Sequence, residues 1–336
     1  MKTIYLKIIS FLWLLSLIGC TNNSDFDNSI TITKVFENAT PTDISFANKD
    51  VGFISGGFEV NTGTAVIAKT IDGGNTWKVI PVYINKSSSS IIRTIYAKSS
   101  DSVYATYNTR DDRCGVCFSK DGGKNWSSLG NFQCGSAYSG INFKTSKIGY
   151  VCWTGDILQT TNGGSNWETV FNYDGFGGVG QLFFTSYNVG YAYGGFAVDH
   201  GSFGTLLKTV DGGNTWIEIN SLAEFVTCLS FIDDNVGYAF TYNNNVYKTT
   251  NGGATWELLK NINDLAGSYY AIAIKNKIKY FGSGFSIFKT SNDFKTIETI
   301  YKDTLNDISL SIKAVQPSDK SIFILSTKQS IFKITL

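Results

Sequence analysis

Two cysteines three positions apart, Cys114 and Cys117 in the run CGVC, are the most obvious candidates for chemistry in this sequence. Such a pair serves thiol–disulfide exchange when a helix follows the first cysteine in a βαβ unit, but here a strand-like segment and FSKDGG follow. Zinc would need a further clustered pair of ligands, and the single histidine, His200, lies far along the chain. The sequence therefore favours neither a redox pair nor a metal site and predicts no cofactor, while it leaves open whether Cys114 and Cys117 are disulfide-bonded, free or metal-linked.

Other catalytic patterns are incomplete. The run from Gly175 to Gly180 matches G-x-G-x-x-G, but the strand-like QLFFTS follows where a dinucleotide site needs a helix, so we interpret it as a flexible link. No G-x-S-x-G occurs, and a triad around one histidine is unsupported. We assign no catalytic residue, because nothing pairs two of the candidate carboxylates as a glycosidase requires: Glu59, Asp111, Asp112, Asp156, Asp174 and Asp199.

A repeated turn organises the chain. TIDGGNTW at 70–77 returns as SKDGGKNW, TTNGGSNW, TVDGGNTW and TTNGGATW. The Asp or Asn of the turn recurs at intervals of 49, 41, 49 and 40 residues. A degenerate (worn) copy, FKTSNDFKTI at 288–297, lacks the Gly pair and the Trp and places Asn292 a further 41 residues on. This period is typical of propeller blades with four strands each. The five intact positions are Asp72, Asp121, Asn162, Asp211 and Asn251.

A second motif recurs in step, with an apolar strand, a polar turn and Val/Ile-Gly-aromatic, as in NFKTSKIGY at 142–150. Counting weaker relatives, seven copies occur. Short alternating segments bounded by Gly, Asn and Asp indicate strands joined by hairpins. The sequence predicts an all-β, seven-bladed β-propeller with four-stranded blades. Because the last repeat stops at its third strand, SIFKITL, we expect residues 30–37 to supply the missing outer strand and close the ring.

The repeated turn has a structural interpretation. Asp or Asn can accept backbone N–H bonds and hold the turn, and the glycines supply positive φ. We expect the tryptophan of each copy to fill the wedge between neighbouring blades. A catalytic role would be duplicated around the ring, so we assign these residues to the scaffold. The tryptophans are Trp77, Trp126, Trp167, Trp216 and Trp256.

The turn pattern, Ser/Thr-x-Asp/Asn-Gly-Gly-x-Thr/Asn-Trp, resembles the BNR or Asp-box repeat of sialidases, sortilin-type receptors and some glucanases. The spacing, the seven units and the V-G-Y strand are most similar to the photosystem II assembly and stability factor family and its relatives outside photosynthesis. This resemblance covers roughly residues 29–336. It does not carry sialidase activity, which needs arginines from three blades, because Arg110 and Arg113 share one loop.

The first twenty residues, MKTIYLKIISFLWLLSLIGC, have a short basic region and an apolar core too short to span a bilayer comfortably. LIGC resembles the bacterial lipobox, so we predict lipidation at Cys20. The predicted divisions are a lipoprotein signal peptide at 1–19, a polar tether at 20–28 and the propeller at 29–336. We expect an exported bacterial lipoprotein on the periplasmic side of the inner or outer membrane, or at the cell surface, held to the membrane through its lipid anchor only.

The charge balance bears on partners. The precursor carries +1, and removing Lys2 and Lys7 with the signal leaves 26 basic residues (28 − 2) against 27 acidic ones. With three arginines in the whole chain, a basic face for nucleic acid is not expected. The basic patch that the assembly family offers on one face is also largely lacking, so the same client is not expected. We expect a monomer.

Five cysteines remain after the lipidated one. In an exported protein a disulfide is the expected use of such residues. Cys114 opens the third strand of the second blade and Cys134 follows the fourth strand on the same face, so we predict that they pair. We expect Cys117 and Cys152 to lie in the core or to form a second bridge, and Cys228 to be buried and free.

Ligand binding is expected on the face that carries the loops between the second and third strands and the links between blades. The DGG turns lie on the opposite face. Long aromatic-rich loops occur on the first face at 56–64, 107–115, 172–180 and 193–204. Loops on a rigid scaffold carry function, and exposed aromatics and Arg are typical of binding hot spots. The predicted binding residues are Phe58, Tyr107, Arg110, Arg113, Trp153, Tyr173, Phe176, Phe196 and His200.

Together these observations favour a non-enzymatic, lipid-anchored envelope propeller that acts as a protein-binding or assembly scaffold. Resemblance to the assembly factor family implies help in assembling a membrane protein complex. The alternative is a carbohydrate-binding or glycoside-hydrolase-like propeller, which the Asp-box glycosidases and the aromatic loops favour. The partner is therefore expected to be a protein or a glycan of the envelope.

Overall fold

The computed structural model describes residues 30–36, 39–58, 64–84, 90–109, 113–133, 140–153, 155–173, 178–198, 201–265, 269–275, 277–283, 286–302, 317–318, 321–325 and 330–335. They form 28 strands in seven four-stranded antiparallel sheets, which are the seven predicted blades. The fold class predicted from the sequence is confirmed. Within these ranges no helix is long and apolar enough to cross a membrane.

Strands of the first three blades follow chain order from the inner to the outer position. They are β2 (Pro41–Phe46), β3 (Gly52–Phe58), β4 (Ala65–Thr70) and β5 (Lys78–Val82); β6 (Ser90–Ala97), β7 (Val103–Thr109), β8 (Arg113–Ser119) and β9 (Ser127–Gln133); β10 (Ile141–Phe143), β11 (Gly149–Trp153), β12 (Asp156–Thr160) and β13 (Glu168–Phe171).

The next three blades repeat this order. They are β14 (Gln181–Phe184), β15 (Gly190–Val198), β16 (Gly201–Thr209) and β17 (Ile217–Glu218); β18 (Val226–Phe231), β19 (Gly237–Thr241), β20 (Asn245–Thr249) and β21 (Glu257–Asn261); β22 (Tyr269–Lys275), β23 (Ile278–Ser283), β24 (Ser286–Thr290) and β25 (Glu298–Lys302).

The seventh blade is built from both ends of the described chain. β26 (Pro317–Ser318), β27 (Ser321–Leu325) and β28 (Ser330–Thr335) are completed by β1 (Ile30–Lys34), the first strand of the chain. β1 pairs antiparallel with β28, from Ile30 opposite Ile334 to Lys34 opposite Ser330. The predicted ring closure is therefore confirmed, and it removes an edge that β28 would otherwise expose.

Strand direction gives the ring two different ends. At one end lie the turns between the first and second strands and those between the third and fourth strands of each blade, which include the DGG turns; we name this end the Asp-box face. At the other end lie the loops between the second and third strands and the links from one blade to the next; we name it the loop face. The backbone N–H of Gly73 donates to Asp50 O at 2.9 Å, which ties the two kinds of turn together at the Asp-box face.

Removing β1 should destabilise the whole ring. A chain that starts at residue 35 is expected to melt at least about 5 °C below one that starts at residue 30, because it exposes the edge of β28 and loses the pairing that closes the circle. Thermal unfolding followed by circular dichroism compares the two. Equal melting temperatures would contradict a closing role for β1.

Candidate functional site

Each Asp-box turn is held by one side chain that accepts several hydrogen bonds. Asp72 Oδ1 accepts the backbone N–H groups of Asn75 (3.0 Å) and Thr76 (2.9 Å), and its Oδ2 accepts the Thr76 hydroxyl at 2.6 Å. Gly73 and Gly74 follow with φ of 66° and 77°, the left-handed region that glycine reaches without strain. The hydroxyl and the backbone N–H of Thr76 lower the pKa of Asp72 to about 2.

The tryptophans occupy the wedges between blades. Between the fourth and fifth blades, Tyr191 stacks on Phe231 with ring centroids 3.9 Å apart, and Trp256 meets Phe231 edge-on at 6.1 Å. The hydroxyl of Tyr191 donates to Gly252 O in the next Asp box at 3.2 Å. This arrangement, which we name the wedge unit, joins an aromatic residue of one blade to a phenylalanine, a tryptophan and a glycine carbonyl of the following blade.

The wedge unit recurs around the ring. Equivalent ring contacts join Tyr104 to Phe143 (3.6 Å, stacked), Tyr150 to Phe184 (5.2 Å, tilted) and, across the closure, Phe323 to Phe46 (4.6 Å, stacked). Aromatic packing of this kind buries large apolar areas and prefers stacked and edge-on geometry. The five tryptophans thus lie where the repeat spacing predicts. Each packs on a core phenylalanine or on the preceding blade.

Glycines give the wedge unit its space. A Cβ at Gly149, in the V-G-Y motif, would lie 2.5 Å from the ring of Phe143. A Cβ at Gly213, the second glycine of a DGG turn, would lie 2.6 Å from the ring of Tyr150 in the preceding blade. Both sequence motifs therefore contain glycine because an aromatic ring occupies the position of a side chain.

Lysines add a polar link between consecutive blades. Lys208 Nζ donates to Gly252 O of the next Asp box at 2.7 Å, and Lys333 Nζ reaches Gly73 O at 3.0 Å across the closure. The third blade has Gln159 at this strand position, and there Lys144 from the preceding turn donates to Gly212 O at 2.8 Å instead. The hydrogen bond from a lysine to the glycine carbonyl of the next Asp box is thus present even where the lysine comes from a different position.

The worn sixth Asp box keeps these contacts with different residues. Asp293 and Phe294 replace the glycine pair and still have positive φ, 52° and 63°. The Asp293 carboxylate accepts Lys248 Nζ, Lys279 Nζ (2.7 Å each) and the Tyr238 hydroxyl (2.6 Å), in place of a glycine carbonyl. The Phe294 ring is buried against Phe240 and fills the wedge that lacks a tryptophan.

On the loop face, two predicted binding residues are buried, so the expectation that they are exposed is wrong. Tyr107 is 3% exposed, with its hydroxyl 3.1 Å from the Ser128 hydroxyl. Its ring lies over Gly115, the residue opposite it in β8, where a Cβ would come within 3.0 Å of the phenol. Trp153 is 8% exposed and packs in the core between the second and third blades.

Other predicted residues are described only in part. Phe58, Arg113 and Phe196 lie at the loop-face ends of β3, β8 and β15, as the predicted topology requires of their backbone. Five further residues lie outside the described residues: Cys20, Arg110, Cys134, Phe176 and His200.

Tyr173 lies on the loop face and is half-buried. Its backbone N–H donates to Asp156 Oδ1 at 2.8 Å, and its ring is 6.4 Å from that of Phe171. Asp156, one of the candidate carboxylates, is therefore engaged in positioning the link that follows the third blade. Gly155 also bridges to Val179, which holds the start of the next blade beside this link.

A polar cluster around Glu224 on the loop face of the fifth blade escaped the sequence analysis. The carboxylate accepts hydrogen bonds from the hydroxyls of Thr241 (2.5 Å) and Tyr247 (2.6 Å) and from Asn245 Nδ2 (3.0 Å). Burial alone would raise the pKa of Glu224, but these hydrogen bonds outweigh it and lower the pKa. The run YNNN at 242–245, which forms the turn, was the available signal.

Tyr242 stands beside this cluster with 54% of its surface exposed. Its ring lies 6.1 Å from that of Phe225 at an interplanar angle of 19°, so the two rings are stacked. An exposed aromatic face next to a fixed carboxylate and several amides can contact a ligand by stacking and by hydrogen bonds. This is the best-described candidate contact surface on the loop face.

The pKa shifts of the described carboxyl groups bear on whether one of them could act as a general acid. Every carboxyl group with a shifted pKa is shifted downward, including Asp72, Asp211, Glu224 and Asp293. A glycosidase needs one carboxylic acid with a raised pKa that holds a proton at neutral pH.

The cysteines divide into two groups. Cys117, Cys152 and Cys228 are buried and free, and burial raises the pKa of the Cys228 thiol to about 12. The expectation for Cys228 is confirmed, and Cys117 and Cys152 belong to the core and form no second bridge. Cys114 is disulfide-bonded, and since Cys134 lies outside the described residues, the pairing of the two stays a prediction.

The fold and its turns define the class of this protein, an Asp-box seven-bladed β-propeller. Residues 24–188, slightly less than half of the chain, match the family described as photosynthesis system II assembly factor YCF48. The resemblance to this family that the sequence indicates is thereby confirmed. A search among curated protein sequences finds no significant match.

Solved structures support the same fold. YCF48 bound to a D1 peptide has a TM-score of 0.68 at 15% identity, covering 91% of this chain and 97% of that one. YCF48 from Cyanidioschyzon merolae has a TM-score of 0.65 at 16% identity, covering 91% and 98%. A GH74 xyloglucanase from Xanthomonas campestris has a TM-score of 0.59 at 14% identity, covering 85% of this chain and 51% of that one.

Stability should depend on pH in the acid range. The Asp72, Asp121 and Asp211 carboxyls have folded pKa values of about 2, below the ordinary 3.8. A depressed pKa contributes stability above the unfolded value and loses it as pH falls through the folded value, so the melting temperature should fall from about pH 4 to pH 2.

A triple variant provides the matched control. Asp72→Asn, Asp121→Asn and Asp211→Asn imitate the natural box at Asn251, where Oδ1 accepts the backbone N–H of Thr255 at 2.9 Å. This variant should show a shallower fall over the same range in thermal melts. An identical slope would mean that other groups control acid stability.

Disulfide mapping tests the prediction for Cys114. Non-reducing peptide mapping should find it joined to Cys134, closing a loop of about 20 residues that contributes on the order of 3 kcal/mol to stability. Cys117, Cys152 and Cys228 should react with alkylating reagents only after unfolding, because they are buried. A free Cys134 thiol in native protein would refute the pairing.

Proposed function

We propose that this chain is a non-enzymatic, lipid-anchored propeller of the bacterial envelope that binds a protein client on its loop face and assists the assembly of a membrane protein complex. The match of residues 24–188 to an assembly factor family carries this proposal. The solved structure of YCF48 bound to a D1 peptide shows that the scaffold of a similar protein accommodates a peptide. By analogy the client here is a polypeptide segment.

The loop face offers suitable contacts for a polypeptide. The stacked pair of Phe225 and Tyr242 presents an aromatic surface, and Tyr residues of this kind give large contact area with few rotatable bonds. Asn243 and Asn245 bring amide groups beside it, and both already bond to Glu224, which fixes their orientation. Rigid donors and acceptors next to an aromatic ring lower the cost of ordering the site when a ligand binds.

A carbohydrate ligand is the second candidate. The similarity in fold to a GH74 xyloglucanase and the exposed ring of Tyr242 beside amides favour it. The downward pKa shifts of the described carboxyls favour glycan binding over glycan cleavage. A glycan would therefore be expected to bind on the same loop face and to be released intact.

Photo-crosslinking with matched positions tests the proposed function. A benzophenone amino acid replaces Tyr242 on the loop face or Tyr187 on the Asp-box face, two exposed tyrosines at 54% and 63%. In native membranes, the benzophenone at position 242 should form a covalent adduct with a membrane protein. The benzophenone at position 187 should form no protein adduct. Protein adducts from Tyr187 alone, or from neither position, would refute a client on the loop face.

A glycan array combined with a hydrolysis assay on the same purified protein separates the two candidates. Binding to a defined glycan that Tyr242→Ala abolishes, without a protein adduct at that position, would replace the protein client with a carbohydrate. Release of shortened products would establish an enzyme instead of a scaffold.

A further inference from the structure

The direction of β1 determines which face the N-terminal segment leaves. β28 is a third strand, so it runs from the loop face to the Asp-box face and ends there at Thr335. β1 runs antiparallel to it, with Ile30 opposite Ile334. The chain therefore enters the ring at the Asp-box face. Nine residues separate Ile30 from the predicted lipidation site at Cys20, and a chain of that length spans at most about 32 Å.

Charge is distributed unequally between the two faces. Among the described residues, the turns of the Asp-box face and the strand ends that meet them contain sixteen lysines against eight aspartates and three glutamates (Glu168, Glu257 and Glu298), although the whole chain carries only +1. The loop-face strand ends, turns and links of the described chain contain Asp156, Glu224 and Asp264 and the basic residues Lys34, Arg113, Lys260 and Lys302. The lysines are Lys49, Lys69, Lys78, Lys98, Lys120, Lys124, Lys144, Lys147, Lys208, Lys248, Lys275, Lys277, Lys279, Lys289, Lys295 and Lys333.

This surplus differs from the expectation that a basic patch is lacking. Counting arginines missed it, because the basic residues of this face are lysines at the turn positions of separate blades. Three of the aspartates, Asp72, Asp121 and Asp211, have their oxygens occupied by groups of their own turns. Exposed lysines such as Lys124 and Lys147 point from the same turns without that engagement.

Apolar side chains project from the same turns. Ile71 and Val210 at the tips of two Asp boxes are 72% and 61% exposed, and Ile232 and Tyr187 in neighbouring turns are also exposed. Lys144 Nζ lies 4.0 Å from the ring centroid of Tyr187. Lysines interspersed with exposed aliphatic and tyrosine side chains are typical of surfaces that lie on the headgroup region of a membrane.

We propose that the Asp-box face rests on an anionic lipid surface, so that the loop face points away from the membrane. Three observations support an anionic lipid surface as the partner. They are the surplus of lysines on this face, the entry of the chain at this face and the exposed apolar side chains of its turns. Basic residues near an anionic bilayer each add to binding, and the attraction falls off within a Debye length. The contact goes beyond the lipid anchor and does not depend on the identity of any client.

Vesicle binding tests the contact without the anchor. The chain from residue 20 onward retains every strand of the ring, and Cys20→Ala removes the predicted lipid. This protein should cosediment with phosphatidylcholine vesicles that contain phosphatidylglycerol, much less with pure phosphatidylcholine, and should dissociate at high salt. Equal binding to both vesicles, or no binding to either at low salt, would overturn the proposal.

A pair of double variants with equal charge change locates the contact. Lys124→Glu with Lys147→Glu, on the Asp-box face, should weaken binding to the anionic vesicles by about tenfold or more. Lys260→Glu with Lys302→Glu, near the loop-face ends of β21 and β25, should change it by much less. Equal losses would indicate a general charge effect and overturn the assignment to one face. Thermal melts of both variants verify folding.

An environment-sensitive fluorophore reports the orientation. It is attached to a cysteine introduced at Val210 on the Asp-box face or at Tyr242 on the loop face. On anionic vesicles the emission should shift to the blue at the first position and stay unchanged at the second. A shift at Tyr242 alone would reverse the orientation. Because these measurements use vesicles and no client, their failure would leave the crosslinking result for the proposed function unaffected.

Discussion

The wedge unit between consecutive blades is the interaction on which the structure depends. A single four-stranded sheet has two faces to bury, and each face meets only the blade beside it. The stack of Tyr191, Phe231 and Trp256 covers such a face, and the Tyr191 hydroxyl and Lys208 both bond to the same glycine carbonyl. Since each unit joins one blade to the next, the ring is stable only when the series is closed. β1 completes the seventh blade by pairing with β28, which lies farther away in sequence than any other strand partner.

The same dependence explains what the sequence could predict. The wedge unit requires glycine, tyrosine, phenylalanine and tryptophan at fixed places, so it recurs in the sequence and its repetition defines the number of blades. In the sixth blade the residues change but the contacts remain. The Phe294 ring fills the space that a tryptophan fills elsewhere, and the Asp293 carboxylate accepts the hydrogen bonds that a glycine carbonyl accepts elsewhere. The worn copy could be located from its spacing, but this exchange depends on contacts with Tyr238 in another blade, which no local pattern records.

The loop face was harder to predict because nothing repeats there. Tyr107 is buried since Gly115 opposite it leaves room for the ring. Glu224 is a lone acidic residue in a link, and only the fold brings it to Asn245 and Tyr247. The topology of the face was predictable, whereas its surface composition was not.

The two faces are thus subject to different constraints, and this separation bears on function. The Asp-box face must preserve its turn geometry in every blade, which leaves the residues at turn tips less constrained; exposed side chains such as Lys124, Ile71 and Val210 occupy such positions. The loop face has no common geometry to preserve, so its residues can form an individual surface such as that around Tyr242. A ring that presents a repetitive charged face and an individual contact face is suited to two different neighbours at once. Because the chain enters the ring on the charged face, the proposed membrane contact and the proposed client would use opposite faces.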